Sequence, residues 1–453
     1  MDNISQAAGA DNGGERANTL DRASSRKKFK LLAGVAAGNF VEWFDFAVYG
    51  YSASTIAKLF FPDSTPSLAL LATLAIFGVT FLFRPAGGIF FGKLGDRIGR
   101  RNTLSIIILM MGVCTTLIGL LPTYSHIGVM APILLAVLRL GQGFSGGGEA
   151  SGSSTFLSEH APAARRGFWT GISNASQTLP FVVAAILMTG IESSMSNEAY
   201  LSWGWRIPFL LSAPLSLVGL YLRTKLDDTP AFVELARSGQ LVEAPVRMVL
   251  RDYRREVLLL AGVASLNAVA FYTMSSYMTT YLKQVIGLSP TISLVSNAVA
   301  LLLYSILIPG FGSLSDRYGR KRILLCGAIG LMLSSVPGYL LAAQGGMLNA
   351  IAGQALITVF LTLTASVVAV VQCELFPTAV RYTGAALGYN LGYMLFGGTA
   401  PFVAQYLVVH TSAPLAPAFY MSAVALLALI PISRLPETAG SKMSRTHAHF
   451  SSR

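Results

Sequence analysis

Five ionisable side chains stand inside stretches of sequence that are otherwise apolar: Glu42, Asp45, Arg84, Arg139 and Glu149. A charge in such a place is costly, and it is kept where it faces a partner or a water-filled path. Glu42 and Asp45 are three residues apart, on neighbouring faces of one helix. Burial favours the protonated form of a carboxyl group, whereas an adjacent guanidinium favours the ionised form. A carboxylate that gains and loses an arginine partner therefore releases and takes up a proton. Asp45 or Glu42 is the expected proton carrier, with Arg139 as charge partner or substrate anchor. Arg84, followed by Pro85, Gly87 and Gly88, is either a second anchor or the partner of Glu149. Glu149 follows three glycines and is expected at an inner gate.

Holding these charges at depth requires helices that cross a bilayer, each about 20 apolar residues long. Of 453 residues, 53% are hydrophobic and 12% charged, about half the charged share of a soluble domain. Apolar segments of sufficient length run over about 31–57, 69–92, 102–121, 127–158, 166–191 and 204–223. A second set follows at about 257–284, 291–313, 322–342, 347–372, 383–408 and 415–434. At ~1.5 Å per residue, Glu42 and Asp45 lie roughly 16 to 21 Å into the first segment, near the middle of a ~30 Å core. Arg139 falls at a similar depth on a helix of opposite direction. Glu149 lies about 15 Å nearer the inside.

The net charge of +12 is a topology signal. Most Lys and Arg fall in alternate loops, as expected if those loops and both termini are cytoplasmic. No basic domain is set aside for nucleic acid, and the polar first thirty residues do not read as a cleavable signal. The three cysteines, Cys114, Cys326 and Cys373, form no CxxC pair, and none of the five histidines falls at mid-depth. Neither a metal site nor a histidine relay is expected. The glycine series from Gly141 to Gly152 suits close helix packing. It lacks the Lys-Ser/Thr ending of a phosphate loop.

Two cytoplasmic loops repeat one another. Gly92-Lys93-Leu94-Gly95-Asp96-Arg97-Ile98-Gly99-Arg100-Arg101 recurs as Gly312-Ser313-Leu314-Ser315-Asp316-Arg317-Tyr318-Gly319-Arg320-Lys321. Glu159-x-x-Pro162-x-x-x-Arg166 recurs as Glu374-x-x-Pro377-x-x-x-Arg381 at nearly the same spacing. Duplication follows, and because each copy starts in the same orientation the halves are parallel repeats with a solute site expected between them. In the first motif the aspartate can accept hydrogen bonds from a neighbouring helix N-terminus and pair with arginines. Asp96, Arg97, Arg100, Asp316, Arg317 and Arg320 are therefore expected to form an inner gate.

These G-x-L-x-D-R-x-G-R-[RK] loops resemble the signature of the major facilitator superfamily. Gly38-Asn39-Phe40-Val41-Glu42-Trp43-Phe44-Asp45-Phe46, Arg84-Pro85-x-Gly87-Gly88, Gln142-Gly143-Phe144-Ser145-x-Gly147-Gly148-Glu149 and Trp203-Gly204-Trp205-Arg206-Ile207-Pro208-Phe209 resemble its metabolite:proton symporter branch. That branch carries proline and betaine, α-ketoglutarate, citrate or shikimate, and the wording here is most similar to the proline/betaine carriers. The long C-terminal coiled coil of osmosensing members has no counterpart after Glu437, so regulation by that device is not expected.

The expected architecture is an all-α membrane protein of twelve transmembrane helices in two six-helix halves. It comprises a cytoplasmic tail (1–30), an N-terminal bundle (31–223), a cytoplasmic linker (224–256), a C-terminal bundle (257–434) and a second tail (435–453). The second half lacks central charges but carries Asn267, Tyr272, Asn297, Gln372, Tyr389, Asn390 and Tyr393 as candidate substrate contacts. Aromatic faces bind quaternary ammonium groups, and phenols and amides hold carboxylates. Tyr277 and Tyr281 are expected as interfacial anchors. The expected function is proton-coupled uptake of a carboxylate or zwitterion by a monomer in the bacterial inner membrane, with no cofactor beyond the proton gradient. Proton-coupled export of a metabolite or drug is the alternative. No nucleophile, base and metal converge as an enzyme would need.

Overall fold

The computed structural model describes residue 36 and residues 38–98, 100–224, 245–377 and 380–440. The N-terminal tail, most of the linker and the end of the C-terminal tail lie outside the described residues. So do the side chains of Asp96, Arg97 and Arg100.

Among the described residues the chain is helical with no strand. Ten helices are long and apolar enough to cross a membrane: α2 (Pro66–Phe91), α3 (Asn102–Leu120), α5 (Arg166–Ser194), α6 (Gly204–Leu222), α7 (Arg254–Gln284), α8 (Pro290–Tyr318), α9 (Arg320–Ala343), α10 (Met347–Glu374), α11 (Thr383–Thr411) and α12 (Ala416–Arg434). Two more, α1 (38–60) and α4 (Met130–His160), are as long but carry the buried charges and the glycine series. Together they form twelve helices in two six-helix halves. We call the end of the bundle that bears the linker the linker end, and the other the distal end.

Several helices outrun their apolar runs. α8 continues past the expected residue 313 to Tyr318, so Asp316 sits on its last turn. The turn into α9 is left to Gly319, whose φ of 97° a side chain would resist. Elsewhere, glycine sets helix separation. A Cβ at Gly143 or Gly147 would meet the backbone carbonyls of Thr80 and Arg84, and one at Gly87 that of Phe144. α2 and α4 therefore pack backbone to backbone, bringing Arg84 against α4.

Across the interface between halves, α5 packs along α8 and α2 along α11. The centre is an aromatic cluster: Trp43 and Phe46 of α1, Phe77 and Phe81 of α2, and Phe181 of α5 meet Phe271 and Tyr272 of α7. Two π-helical turns, Thr273–Tyr277 in α7 and Tyr393–Gly397 in α11, interrupt the second half. Such turns mark functional positions in helices; here they follow Tyr272 and begin at Tyr393, whose rings meet at 6.0 Å. Tyr277 and Tyr281 are not interfacial. Both are fully buried, Tyr277 donating to Gln405 Oε1 at 2.8 Å and Tyr281 packing on Tyr339. The π turn rotates this stretch of α7 into the interior.

Candidate functional site

The two carboxylates of α1 separate into different networks. Asp45 faces α3 and α4. Its Oδ2 accepts from Arg139 Nη1 at 2.8 Å, and its Oδ1 accepts from Gln142 Nε2 at 2.6 Å and Thr115 Oγ1 at 3.0 Å. Arg139 and Gln142 share one face of α4, three residues apart, and Arg139 Nη1 also donates to Gln142 Oε1 at 2.6 Å. The guanidinium lies 3.7 Å from the centroid of Tyr49, a cation–π contact in a fully buried setting. Breaking such a pair by removing one partner costs about 3–5 kcal/mol, because the other charge is left uncompensated.

Glu42 instead meets Arg84: Nη2 donates to Glu42 Oε1 at 2.8 Å and to the Gly146 carbonyl at 3.2 Å. Arg84 thus pairs across to Glu42 of α1 while still touching the backbone of α4. Glu149 is buried further toward the linker end. Phe46 stands between the two cations, 5.6 Å from Arg84 and 5.9 Å from Arg139. Arg84 also lies 5.4 Å from the centroid of Phe81, whose ring meets Tyr272 of α7 at 5.1 Å, so this pair faces the second half.

Between the halves lies a cavity of about 30 Å³, room for about two water molecules. From the second half it is lined by Asn267, Phe271, Tyr304, Gln372, Tyr389 and Tyr393. Tyr272 lies one ring further in. Asn297 is elsewhere, its oxygen accepting from Tyr51 and its amide nitrogen donating to Met274 O and Gln354. Asn390 is buried outside the lining. The first half contributes Trp43, Ser154, Asn174, Gln177 and Thr178, none of which was singled out from sequence as a contact. The signal was available: Asn174, Gln177 and Thr178 form a polar stripe at helical spacing on α5.

At the linker end Asp316 crosses from α8 to the other half. Its oxygens accept from the backbone amides of Gly167 (2.9 Å) and Phe168 (3.1 Å), the first turn of α5, where the helix dipole favours an anion. Arg320 braces it from within its own half, 2.8 Å from Asp316 Oδ1 and 3.2 Å from Glu374 Oε1. Arg166 reaches Glu374 across the interface at 3.5 Å. Arg317 is exposed against Tyr318.

A residue missed from sequence completes this end. Glu437, after α12, accepts from the backbone amides of Arg320 (2.8 Å) and Lys321 (3.2 Å) and so caps α9. Thr438 donates to Glu374 Oε2 at 2.7 Å. Partial burial pushes the Glu437 carboxyl up, but the amides of Ala439, Arg320, Lys321 and Thr438 outweigh it and hold the group below its ordinary 4.5. At the distal end Lys283 and Glu192 join the halves at 3.3 Å. Among the described residues, contacts between the halves are thus present at both ends of the bundle.

Comparison with known proteins agrees with this architecture. The family profile described as "Sugar (and other) transporter" matches residues 31–245 and 233–450. The chain is 36% identical over 419 residues to the proline/betaine transporter of Escherichia coli K12, covering 90% of this chain and 84% of that one. It is 36% identical over 425 residues to the glycine betaine/proline/ectoine/pipecolic acid transporter OusA of Dickeya dadantii, covering 90% and 83%. Among solved structures, the proton:xylose symporter XylE bound to a bromo-deoxyglucose superposes with a TM-score of 0.73 over 92% of this chain and 98% of that one, at 16% identity. The relatives are transporters rather than enzymes. The chain is a multi-pass membrane protein that belongs to the sugar (and other) transporter family and shares the fold of a major facilitator symporter.

Proposed function

We propose that this chain is a proton-coupled symporter that takes up a small zwitterion of the proline or betaine type. The observation that carries the reading is the buried Asp45–Arg139 pair, held by Gln142 and Thr115 within the first half, in a bundle with a cavity between its halves. The names of the relatives, which are proline and betaine transporters, support the substrate class.

Asp45 carries the proton in this scheme. Ionised, it is held by Arg139, Gln142 and Thr115; protonated, it releases Arg139, whose attraction to α1 then weakens. Glu42 and Arg84 stand next to the aromatic cluster and sense the solute. A small zwitterion needs several-fold more space than the cavity has, so the halves, residues 31–223 and 257–434, separate at one end to admit it. They then close around it and open at the other end. Asp316 with the amides of α5 latches the linker end, and Lys283 with Glu192 the distal end. The protein works as a monomer in a bacterial inner membrane, with the linker and both termini cytoplasmic and the membrane proton gradient as its only energy source.

The test is uptake by purified protein in liposomes, with radiolabelled proline and glycine betaine and an imposed gradient, acid and positive outside. Accumulation that collapses with a protonophore is expected. Accumulation driven only by an acid interior would replace symport by export.

A further inference from the structure

Resting on the proton-coupling reading above, we infer that Tyr49 is a positioning residue of the Asp45–Arg139 pair: its ring is the seat that keeps the Arg139 cation in place when Asp45 is neutral. Asp45 and Tyr49 are four residues apart on α1 and so share one face of that helix. Together they meet Arg139 of α4, the carboxylate at 2.8 Å and the ring with its centroid 3.7 Å from the guanidinium carbon. Arg139 and Tyr49 are both fully buried. Among the described residues, only Nη1 of Arg139 has hydrogen-bond acceptors, Asp45 and Gln142; Nε and Nη2 are buried with none. The rings of Phe46 and Phe77 stand further off, at 5.9 and 5.7 Å. Tyr49 itself is fixed from α2: its hydroxyl donates to the Thr73 carbonyl at 3.0 Å, and its ring stacks on Phe77 at 6.0 Å.

Protonation of Asp45 removes the charge opposite Arg139 but leaves the cation, because a guanidinium does not give up its proton in a protein. A buried cation without compensation is strongly destabilising. What remains for it is one neutral acceptor, Gln142 Oε1 at 2.6 Å, and the face of Tyr49. A ring face attracts a cation through its quadrupole whatever the state of the carboxylate, and does so most when both are desolvated. The other charges near this depth offer no substitute. Glu42 is paired with Arg84 on the far side of Phe46, and the remaining partners of Asp45, Thr115 of α3 and Gln142 of α4, are neutral. Tyr49 thus lets Asp45 lose its charge without driving Arg139 out toward solute or water. Because Tyr49 and Asp45 lie on the same helix, Arg139 stays against α1 in both proton states, and the change on protonation is confined to one ion pair.

The experiment is a double-mutant cycle on the full chain, with Asp45→Asn standing for the neutral carboxyl. The readouts are melting temperature in detergent and exchange of labelled for unlabelled proline in liposomes. Tyr49→Leu removes the ring, whereas Tyr49→Phe keeps it and loses only the hydroxyl. Tyr49→Leu is expected to lower the melting temperature by at least ~3 °C more in the Asp45→Asn background than in the wild type. In that background it should also cut exchange at least ~10-fold, while Tyr49→Phe leaves exchange within about 3-fold. Adding Arg139→Met to Asp45→Asn/Tyr49→Leu removes the unseated cation and should recover at least half of the lost melting temperature. A ring that only fills space gives equal losses in both backgrounds and no recovery; either result overturns the inference and leaves proton-coupled uptake standing. If Asp45→Asn/Tyr49→Leu yields no folded protein, recovery of a folded peak on adding Arg139→Met supports the seat, and no recovery overturns it. Wild-type protein that accumulates no solute under a proton gradient overturns the coupling reading instead, and the melting cycle decides the seat independently.

Discussion

Replacing Asp316 with asparagine should loosen the linker end by an amount that follows from where its contacts lie. Two kinds of interaction meet at Asp316. The pair with Arg320 is internal to the second half and is present whether the latch is shut or open. The bonds to the amides of Gly167 and Phe168 cross between halves and exist only when it is shut. Asparagine keeps one carbonyl to receive one amide, and loses the other bond together with the charge facing the start of α5. A hydrogen bond to a charged group contributes about 1.5–3 kcal/mol, and an anion at a helix N-terminus adds roughly 0.3–1 kcal/mol. The closed state therefore loses about 2–4 kcal/mol, a shift of roughly 30- to 700-fold toward opening. The reporter is Ser154→Cys, on the cavity wall, with Cys114, Cys326 and Cys373 replaced by serine. Alkylation of that thiol in nanodiscs should accelerate at least ~30-fold on adding Asp316→Asn. An unchanged rate would refute the latch. So would an equal acceleration by Glu437→Gln, since Glu437 bonds only within its own half.

Three further outcomes are expected. Gly147→Ala places a methyl group on the Arg84 carbonyl and should abolish a monodisperse protein peak in size-exclusion chromatography, whereas Gly190→Ala, with open space around it, should leave the peak intact. Glu437 has a folded-state pKa below its ordinary 4.5, so its stabilising contribution is complete above that value and is lost as pH falls through the lower folded one; Glu437→Gln should lower the melting temperature at pH 7, and the difference should close on acidification below the ordinary carboxylate range. Arg139→Ala leaves Asp45 buried without its cation and should reduce transport at least ~100-fold in the liposome uptake assay, with no recovery at raised substrate concentration.

The architecture was legible because membrane helices announce themselves twice, in apolar length and in where Lys and Arg fall between them. Repetition of the Asp316 loop supplied the division into halves. The Asp45–Arg139 ion pair was legible for a related reason: both residues are conspicuous in apolar sequence, and helix rise alone puts them at one level. Uncharged partners were not. Gln142 and Thr115 look like ordinary polar residues until α3 and α4 are packed, and Asn174 and Gln177 on α5 are uncharged and so carry no comparable signal in apolar sequence. Pairing of Arg84 with Glu42 depends on backbone contact between α2 and α4, which the glycines permit but do not orient. Glu437 was hidden for another reason. Its partners are backbone amides at Arg320 and Lys321, and these leave no mark in the sequence of α9.

The central claim is that Asp45 handles the proton, and the direct measurement compares two modes of transport in one variant. Asp45→Asn, reconstituted beside the wild type, should retain exchange of labelled for unlabelled solute, because binding and the motion of the halves need no net proton transfer. It should lose accumulation against a gradient when a proton-motive force is imposed. Accumulation at the wild-type level in Asp45→Asn would contradict the account and move the coupling proton elsewhere.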